Sequence, residues 1–231
     1  MNRFRAIMFD VDGTMAETEE FHRRAFNEAF SYFDLPWSWD VATYGKLLRI
    51  AGGRERIRYF WKSLAEGFDL SDGHINELHR FKTRRYAELI ASGACGLRPG
   101  VADLILRARD GRLRLAIVTT TSRDNIDALL KQNLGPDWNR DFDVIVAGED
   151  VPNKKPEPDA YHAALEALGL PAVSCLAIED SRNGLVAAAS AGVPVLITRS
   201  LYFRDDDFTG AASVTDNLTD LPDDFWFDPG L

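Results

Sequence analysis

The chain has 231 residues, 27 of them basic and 36 acidic, giving a formal charge of −9 near pH 7. That length makes one large domain or one and a half, enough to bury a sizeable core, and the acidic balance argues against a nucleic-acid binder or a protein that docks on anionic membranes. Two isolated cysteines, Cys95 and Cys175, are too few for a disulfide framework or a zinc site, and no apolar run approaches the roughly 20 residues of a membrane span.

Residues 6–9 are apolar and stop at Asp10 and Asp12, followed by Gly13-Thr14. Such a run reads as a strand buried on both faces; periodicity alone also admits a buried helix segment, and Gly13 favours the strand. In a strand, alternation sends Asp10 and Asp12 the same way, at the carboxyl end where open α/β sheets bind ligands. Two carboxylates that close repel unless a cation lies between them, and Mg²⁺ suits hard oxygen ligands shared with a phosphate. The plainer alternative is a turn with local side-chain hydrogen bonds.

The spacing of apolar residues predicts helices over 18–33, 41–48, 55–64 and 72–90, with no convincing strand among them. This looks like a helical bundle inserted after the first strand. It also differs in charge: from Met15 to Arg98 there are 13 Lys and Arg against 12 Asp and Glu, whereas the rest of the chain carries 14 against 24. From Arg98-Pro99-Gly100 onward the pattern alternates, with helices over 101–109, 124–131, 159–168 and 184–191 preceding strands over 113–118, 144–147, 175–178 and 194–198. Five strands joined by helical crossovers predict a mostly parallel sheet covered on both faces. Leu218, Leu221, Phe225 and Trp226 are expected to patch the polar tail onto the core.

In such a sheet the strand ends share one edge. There stand Asp10 and Asp12, then Thr119-Thr120-Thr121-Ser122, then the loop Asn153-Lys154-Lys155-Pro156-Glu157-Pro158-Asp159, then Glu179-Asp180-Ser181. Singly, each has an ordinary explanation as helix capping or a solvated lysine pair. Together they bring carboxylates, hydroxyls and a lysine into one crevice.

In chain order, Asp10-x-Asp12-Gly13-Thr14, Thr119 after a strand, Lys155-Pro156-x-Pro158-Asp159 and Glu179-Asp180-Ser181 resemble the four motifs of the haloacid dehalogenase-like superfamily of phosphohydrolases. The insertion after the first motif is similar to the branch with a helical cap, which includes β-phosphoglucomutase and phosphoglycolate phosphatase. Ala16-Glu17-Thr18-Glu19-Glu20, the Thr-Thr-Thr-Ser run and Gly52-Gly53-Arg54-Glu55-Arg56-Ile57 most resemble the CbbY family. The resemblance implies an α/β fold with a Rossmann-like, doubly wound parallel sheet core (1–16 and 93–231) and an inserted α-helical cap domain (17–92). It implies a Mg²⁺-dependent phosphatase acting on a small phosphorylated sugar through an aspartyl-phosphate. The substrate implied is xylulose 1,5-bisphosphate, an inhibitory by-product of Rubisco. Carried over residue by residue, Asp10 is the nucleophile, and Asp12 is the acid and base that also lends its backbone carbonyl to Mg²⁺. Asp180 completes the metal site with Asp10, Glu179 steadies it through a water, and Thr119 and Lys155 hold the phosphoryl oxygens.

A lid explains the helical segment, whose basic residues include Arg49, Arg54, Arg56, Arg58, His79, Arg80, Lys82, Arg84 and Arg85. Most are expected on solvated faces. Arg54 is the exception, because Gly52-Gly53 before it lets a backbone approach an anion and arginine grips phosphate as a fork. The expected substrate contacts are Glu17, His22, Gly52, Gly53, Arg54, His79 and Lys82, with Thr120, Thr121, Ser122 and Lys155 opposite; Lys82 and Ser122 stand behind Arg54 as readers of a second phosphate. His22 reads equally as a leaving-group contact and as part of the hinge helix. A sugar phosphomutase and a phosphoglycolate phosphatase remain alternatives. A non-catalytic phospho-receiver module gathers similar groups, but the cap and Asp12-Gly13-Thr14 count against it. A cytoplasmic monomer without targeting segment, nucleic-acid partner or membrane partner is expected.

Overall fold

The computed structural model describes residues 4–64, 70–110 and 113–222. Strands β1 (Ala6–Phe9), β2 (Arg114–Val118), β3 (Val144–Val146), β4 (Cys175–Glu179), β5 (Val195–Thr198) and β6 (Ser213–Thr215) form one parallel sheet in the order β3-β2-β1-β4-β5-β6. β1 is central, with Ala6 beside Arg114 on one side and Cys175 on the other. Its four residues are all apolar and buried because helices cover both faces, which removes any reason for alternation with polar residues.

The two faces nevertheless divide by parity. Ile7, Phe9, Leu115, Ile117, Leu176 and Ile178 join one apolar cluster with α5 (Val101–Asp110) and α6 (Arg123–Leu134). Ala6, Met8, Ala116, Val118, Cys175 and Ala177 join another with α7 (Asp159–Leu168) and α8 (Arg182–Ser190). Small residues dominate the second face, so α7 and α8 can lie close to the sheet.

Between β1 and α5 the chain forms α1 (Glu19–Tyr32), α2 (Val41–Leu47), α3 (Gly53–Ser63) and α4 (Asp72–Ala91). Asp40 caps α2 by accepting from the Thr43 amide, and Ser71 caps α4 by accepting from that of His74. These helices enclose their own aromatic cluster of Phe26, Phe30, Trp37, Trp39 and Tyr44 with Ile57, Ile75 and Leu78, against which Tyr202 and Phe203 pack from the loop after β5. Removing one such buried ring, as in Phe26→Ala, typically costs about 3–5 kcal/mol.

The sixth strand departs from the five expected. β6 has three half-buried residues, Ser-Val-Thr, too short and polar to read as a strand. Helix α3 begins two residues before its expected start because the chain turns helical at the second glycine of the Gly52-Gly53 pair. Leu218 is buried and Leu221 packs against the core as expected, whereas Phe225 and Trp226 lie outside the described residues. No described helix is long and apolar enough to cross a membrane.

Candidate active site

The parallel order places the ends of β1, β2 and β4 side by side, and the first reactive group meets its partners there. Lys155 Nζ donates to Asp10 Oδ1 at 2.7 Å, to Glu179 Oε1 at 2.5 Å and to the Val118 carbonyl at 2.7 Å. Burial alone would lower the pKa of this lysine, but the Asp10 and Glu179 carboxylates outweigh it and hold the ammonium charged. Tyr161 on α7 donates its hydroxyl to Glu179 Oε1 at 2.5 Å. Glu179 therefore has direct protein partners, and burial lifts it to about 7.

Asp10, Glu179 and Asp180 bring one carboxylate oxygen each to within 4.8 Å of one another. Glu179 Oε2 and Asp180 Oδ2 are buried without a hydrogen-bond partner among the described residues, and burial, together with the neighbouring carboxylates, raises Asp10 and Asp180 above the usual range. Three buried carboxylates against one lysine leave an excess of negative charge, and their hard oxygens fit a divalent cation of the Mg²⁺ type. Gly13 is indispensable to this packing: its φ is +79°, and a Cβ there would lie 1.9 Å from Asp180 Oδ2.

Asp12 faces the helices instead. Its Oδ1 accepts from Thr18 Oγ1 at 2.6 Å and lies 3.1 Å from His22 Nε2. Behind it, His22 Nδ1 is 2.6 Å from Lys82 Nζ, and the His22 ring stacks on Tyr86 at 4.0 Å. Burial first, then the Lys82 charge, lowers His22 to about 4, so the ring is neutral near pH 7 and its contact with Asp12 is a hydrogen bond, not an ion pair. Nε2 carries the proton that Asp12 accepts, which leaves Nδ1 to accept from Lys82. Burial pushes Asp12 up, yet His22, Thr18 and Lys82 together hold it well below the usual range. Burial brings Lys82 down to about 7.

A cavity of about 130 Å³ joins these groups to the opposite wall. Asp10, Asp12, Lys155, Asp180 and Thr119 through Ser122 line it from the sheet side, and Glu19, His22, Gly52 through Arg56, His79 and Lys82 from the helical side. Thr119 is buried and accepts from the Thr121 amide; Ser122 Oγ is buried and has no hydrogen-bond partner among the described residues.

Two expected substrate contacts need correction. Glu17 is turned away from the cavity: its carboxylate accepts from the Leu201 amide at 3.2 Å and lies 3.7 Å from Arg98, because it precedes α1 and follows the hinge backbone. Lys82 lines the cavity, but its ammonium is engaged with His22 and sits over the rings of Phe26 and Tyr86, so it is a positioning group for His22 instead of an open anion contact. The glycine pair also has a packing reason beyond anion approach. With φ at +91°, Gly52 stands where a Cβ would meet Glu55 Oε2 at 2.2 Å and Lys154 Nζ at 2.5 Å, and a Cβ on Gly53 would meet His79 Nε2 at 2.5 Å. Lys154 and Glu55 form an ion pair of 2.8 Å between the loop after β3 and α3.

Sequence reasoning did not single out Thr18, Glu19, Tyr44, Lys154, Tyr161 or Arg56 as a positioning group. Helical phase carries the signal for Glu19, since it lies one turn before His22 on the buried side of α1.

With this geometry in place, comparison with known proteins is decisive. The model of the haloacid dehalogenase-like hydrolases matches residues 4–192. The chain belongs to this family. Among its relatives, Protein CbbY of Rhodobacter capsulatus is 50% identical over 226 residues, covering 94% of this chain and 99% of the relative. CbbY of Cereibacter sphaeroides is 45% identical over 216 residues, covering 94% and 93%. The crystal structure of CbbY from Rhodobacter sphaeroides in complex with phosphate superposes with a TM-score of 0.88 at 45% identity, covering 93% of this chain and 94% of that one. A variant of the same protein in complex with xylulose-(1,5)bisphosphate gives the same values. This haloacid dehalogenase-like hydrolase is thus an enzyme of the phosphatase class, which sets aside the non-catalytic receiver reading.

Proposed function

We propose that this hydrolase cleaves a phosphate ester of a small sugar, with xylulose 1,5-bisphosphate as substrate, by transferring the phosphoryl group to Asp10 and then to water. One observation carries the reading: a buried Asp10–Lys155–Glu179–Asp180 cluster faces, across a single cavity, a glycine-rich helix start bearing Arg54. The likeness to CbbY over nearly the whole chain supports the choice of substrate.

Asp10, Glu179 and Asp180 would hold Mg²⁺, which supplies neutralising charge to the phosphoryl oxygens and to the carboxylates around them. Asp10 Oδ attacks phosphorus, and the bond to the sugar oxygen breaks. Asp12 gives that oxygen its proton, then takes one from the water that opens the aspartyl-phosphate. Asp12 is ionised in the free site and takes up a proton from water as the substrate binds, because the dianionic phosphate disfavours a second negative charge beside it. Lys155 and Thr119 steady the transferred oxygens. Residues 17–92 serve as a cap over a core of 1–16 and 93–231, excluding water and holding the second phosphate through Arg54. The 2.8 Å Lys154–Glu55 pair and the bond from Asn183 Nδ2 to the Arg49 carbonyl support this reading as contacts between the helical segment and the loops at the sheet edge.

The test is phosphate release from a panel of sugar mono- and bisphosphates, with Mg²⁺ and with EDTA. Expected is turnover of xylulose 1,5-bisphosphate above the monophosphates, abolished by EDTA. Full activity in EDTA, or indifference to the second phosphate, overturns the reading.

A further inference from the structure

We infer that Glu19 is the group that reads the hydroxyls of the sugar, held in place by Tyr44 and Arg56. The inference rests on the sugar-phosphate reading above and gives a role to a residue for which the motifs supplied none. Glu19 lines the cavity yet is nearly buried, at 7% exposure. Tyr44, fully buried on α2, donates its hydroxyl to Glu19 Oε2 at 2.9 Å. Arg56 on α3 donates to the Tyr44 oxygen at 3.1 Å while its other nitrogens bind the carbonyls of Leu47 and Ile50. The chain Arg56–Tyr44–Glu19 fixes the direction of one carboxylate from three helices, and no described residue donates to Glu19 Oε1.

The other carboxylates around the cavity have different commitments. Asp10 and Asp180 belong to the cation cluster, and Asp12 is bonded to Thr18 and His22. Glu55 is paired with Lys154, and Glu149 caps α6 through the Arg123 amide. Glu19, by contrast, has a neutral hydroxyl, that of Tyr44, as its side-chain partner among the described residues. A carboxyl group there bonds hydroxyl groups, as acceptor or as donor, so the complementary ligand part is the polyhydroxy carbon chain joining the two phosphate ends. A site built to bond a hydroxyl discriminates strongly against a ligand lacking it, because its own polar group is then left unpaired.

The experiment compares kcat/KM for xylulose 1,5-bisphosphate with that for 1,5-pentanediol bisphosphate, which keeps both phosphates and has no free hydroxyl. Wild type is expected to favour the sugar by about 100-fold or more, and Glu19→Gln to shrink that ratio at least tenfold. Tyr44→Phe, which leaves the carboxylate but frees it to swing, is expected to shrink the ratio several-fold. A ratio unchanged in both variants overturns the assignment to Glu19 while leaving the sugar-phosphatase reading intact. A wild type that does not distinguish the two substrates overturns both. A purely structural role would lower activity on both substrates and leave the ratio where it was, so overall losses through misfolding do not imitate the expected result.

Discussion

The two walls of the cavity solve opposite electrostatic problems. On the sheet side, three carboxylates are packed around one lysine at the ends of buried strands, with the Glu179 Oε2 and Asp180 Oδ2 oxygens left without a hydrogen-bond partner among the described residues. On the helical side, cations and aromatic rings predominate, and several functional groups are positioned through other side chains, as His22 is by Lys82 and Glu19 by Tyr44. The sheet edge handles what all phosphate esters share, and the helical wall handles what distinguishes one ester from another. Substitutions on the two sides should therefore fail in different ways.

The largest effect is expected from Asp10→Asn, which removes the group that receives the phosphoryl. Its kcat should fall by at least about 10⁴-fold on sugar and aryl phosphates alike, since only binding and electrostatic assistance remain. A steady-state assay showing a small loss on either would break the contrast between the walls.

Asp12→Asn should be nearly as damaging with a sugar phosphate and milder with p-nitrophenyl phosphate, whose leaving group needs no proton. Equal losses on both substrates would show that Asp12 serves the fold of the hinge and not proton transfer.

Arg54→Ala sharpens the comparison from the other side. A charge-assisted contact to phosphate is typically worth about 1.5–3 kcal/mol, so kcat/KM for the bisphosphate should drop roughly 10- to 150-fold. The aryl phosphate, with nothing for Arg54 to hold, should be affected far less. Kinetics in which both substrates lose alike would assign Arg54 to the sheet-side chemistry.

The smallest effect concerns stability. His22 has a folded pKa of about 4 against the ordinary 6.5, owing first to burial and then to Lys82. The unfolded chain thus binds more protons between those values, and the His22 contribution, complete above pH 6.5, is lost as pH falls toward 4. Urea unfolding at pH 7 and pH 4.5 should show His22→Gln losing less stability than wild type over that interval, by up to roughly 3 kcal/mol. Identical pH dependence in the two proteins would contradict a neutral, buried imidazole.

The sheet edge was largely readable from the sequence because its carboxylates and hydroxyls are local: Asp10, Asp12, Thr119 and Asp180 each follow a short apolar run within one to three residues, and only Lys155 stands farther from its strand, in the loop after β3. Tyr161 escaped notice since an aromatic residue at helical spacing reads as core, and it is core except for its hydroxyl. The helical wall was harder. Its groups are brought together by how helices pack, and Tyr44 reaches Glu19 across 25 positions. Glu17 looked suitable by its place at the hinge, but backbone direction there turns it to Leu201. Arg98 could not have been read at all, for it donates to the carbonyls of Thr198, Arg199 and Asp216, groups that every residue carries.

The central place of β1 has a consequence for how the molecule is made. Its strand neighbours begin at Arg114 and Cys175, so β1, which precedes both in the chain, keeps both edges bare until two distant stretches of chain exist. Long-range parallel pairing of this kind slows folding, and an apolar strand with open edges invites association between chains in the meantime. During refolding, pulse-labelled hydrogen exchange should find the β1 amides protected no earlier than those of β4. Protection of β1 ahead of β4 would mean that the sheet grows outward from its centre despite the order in which the sequence supplies it.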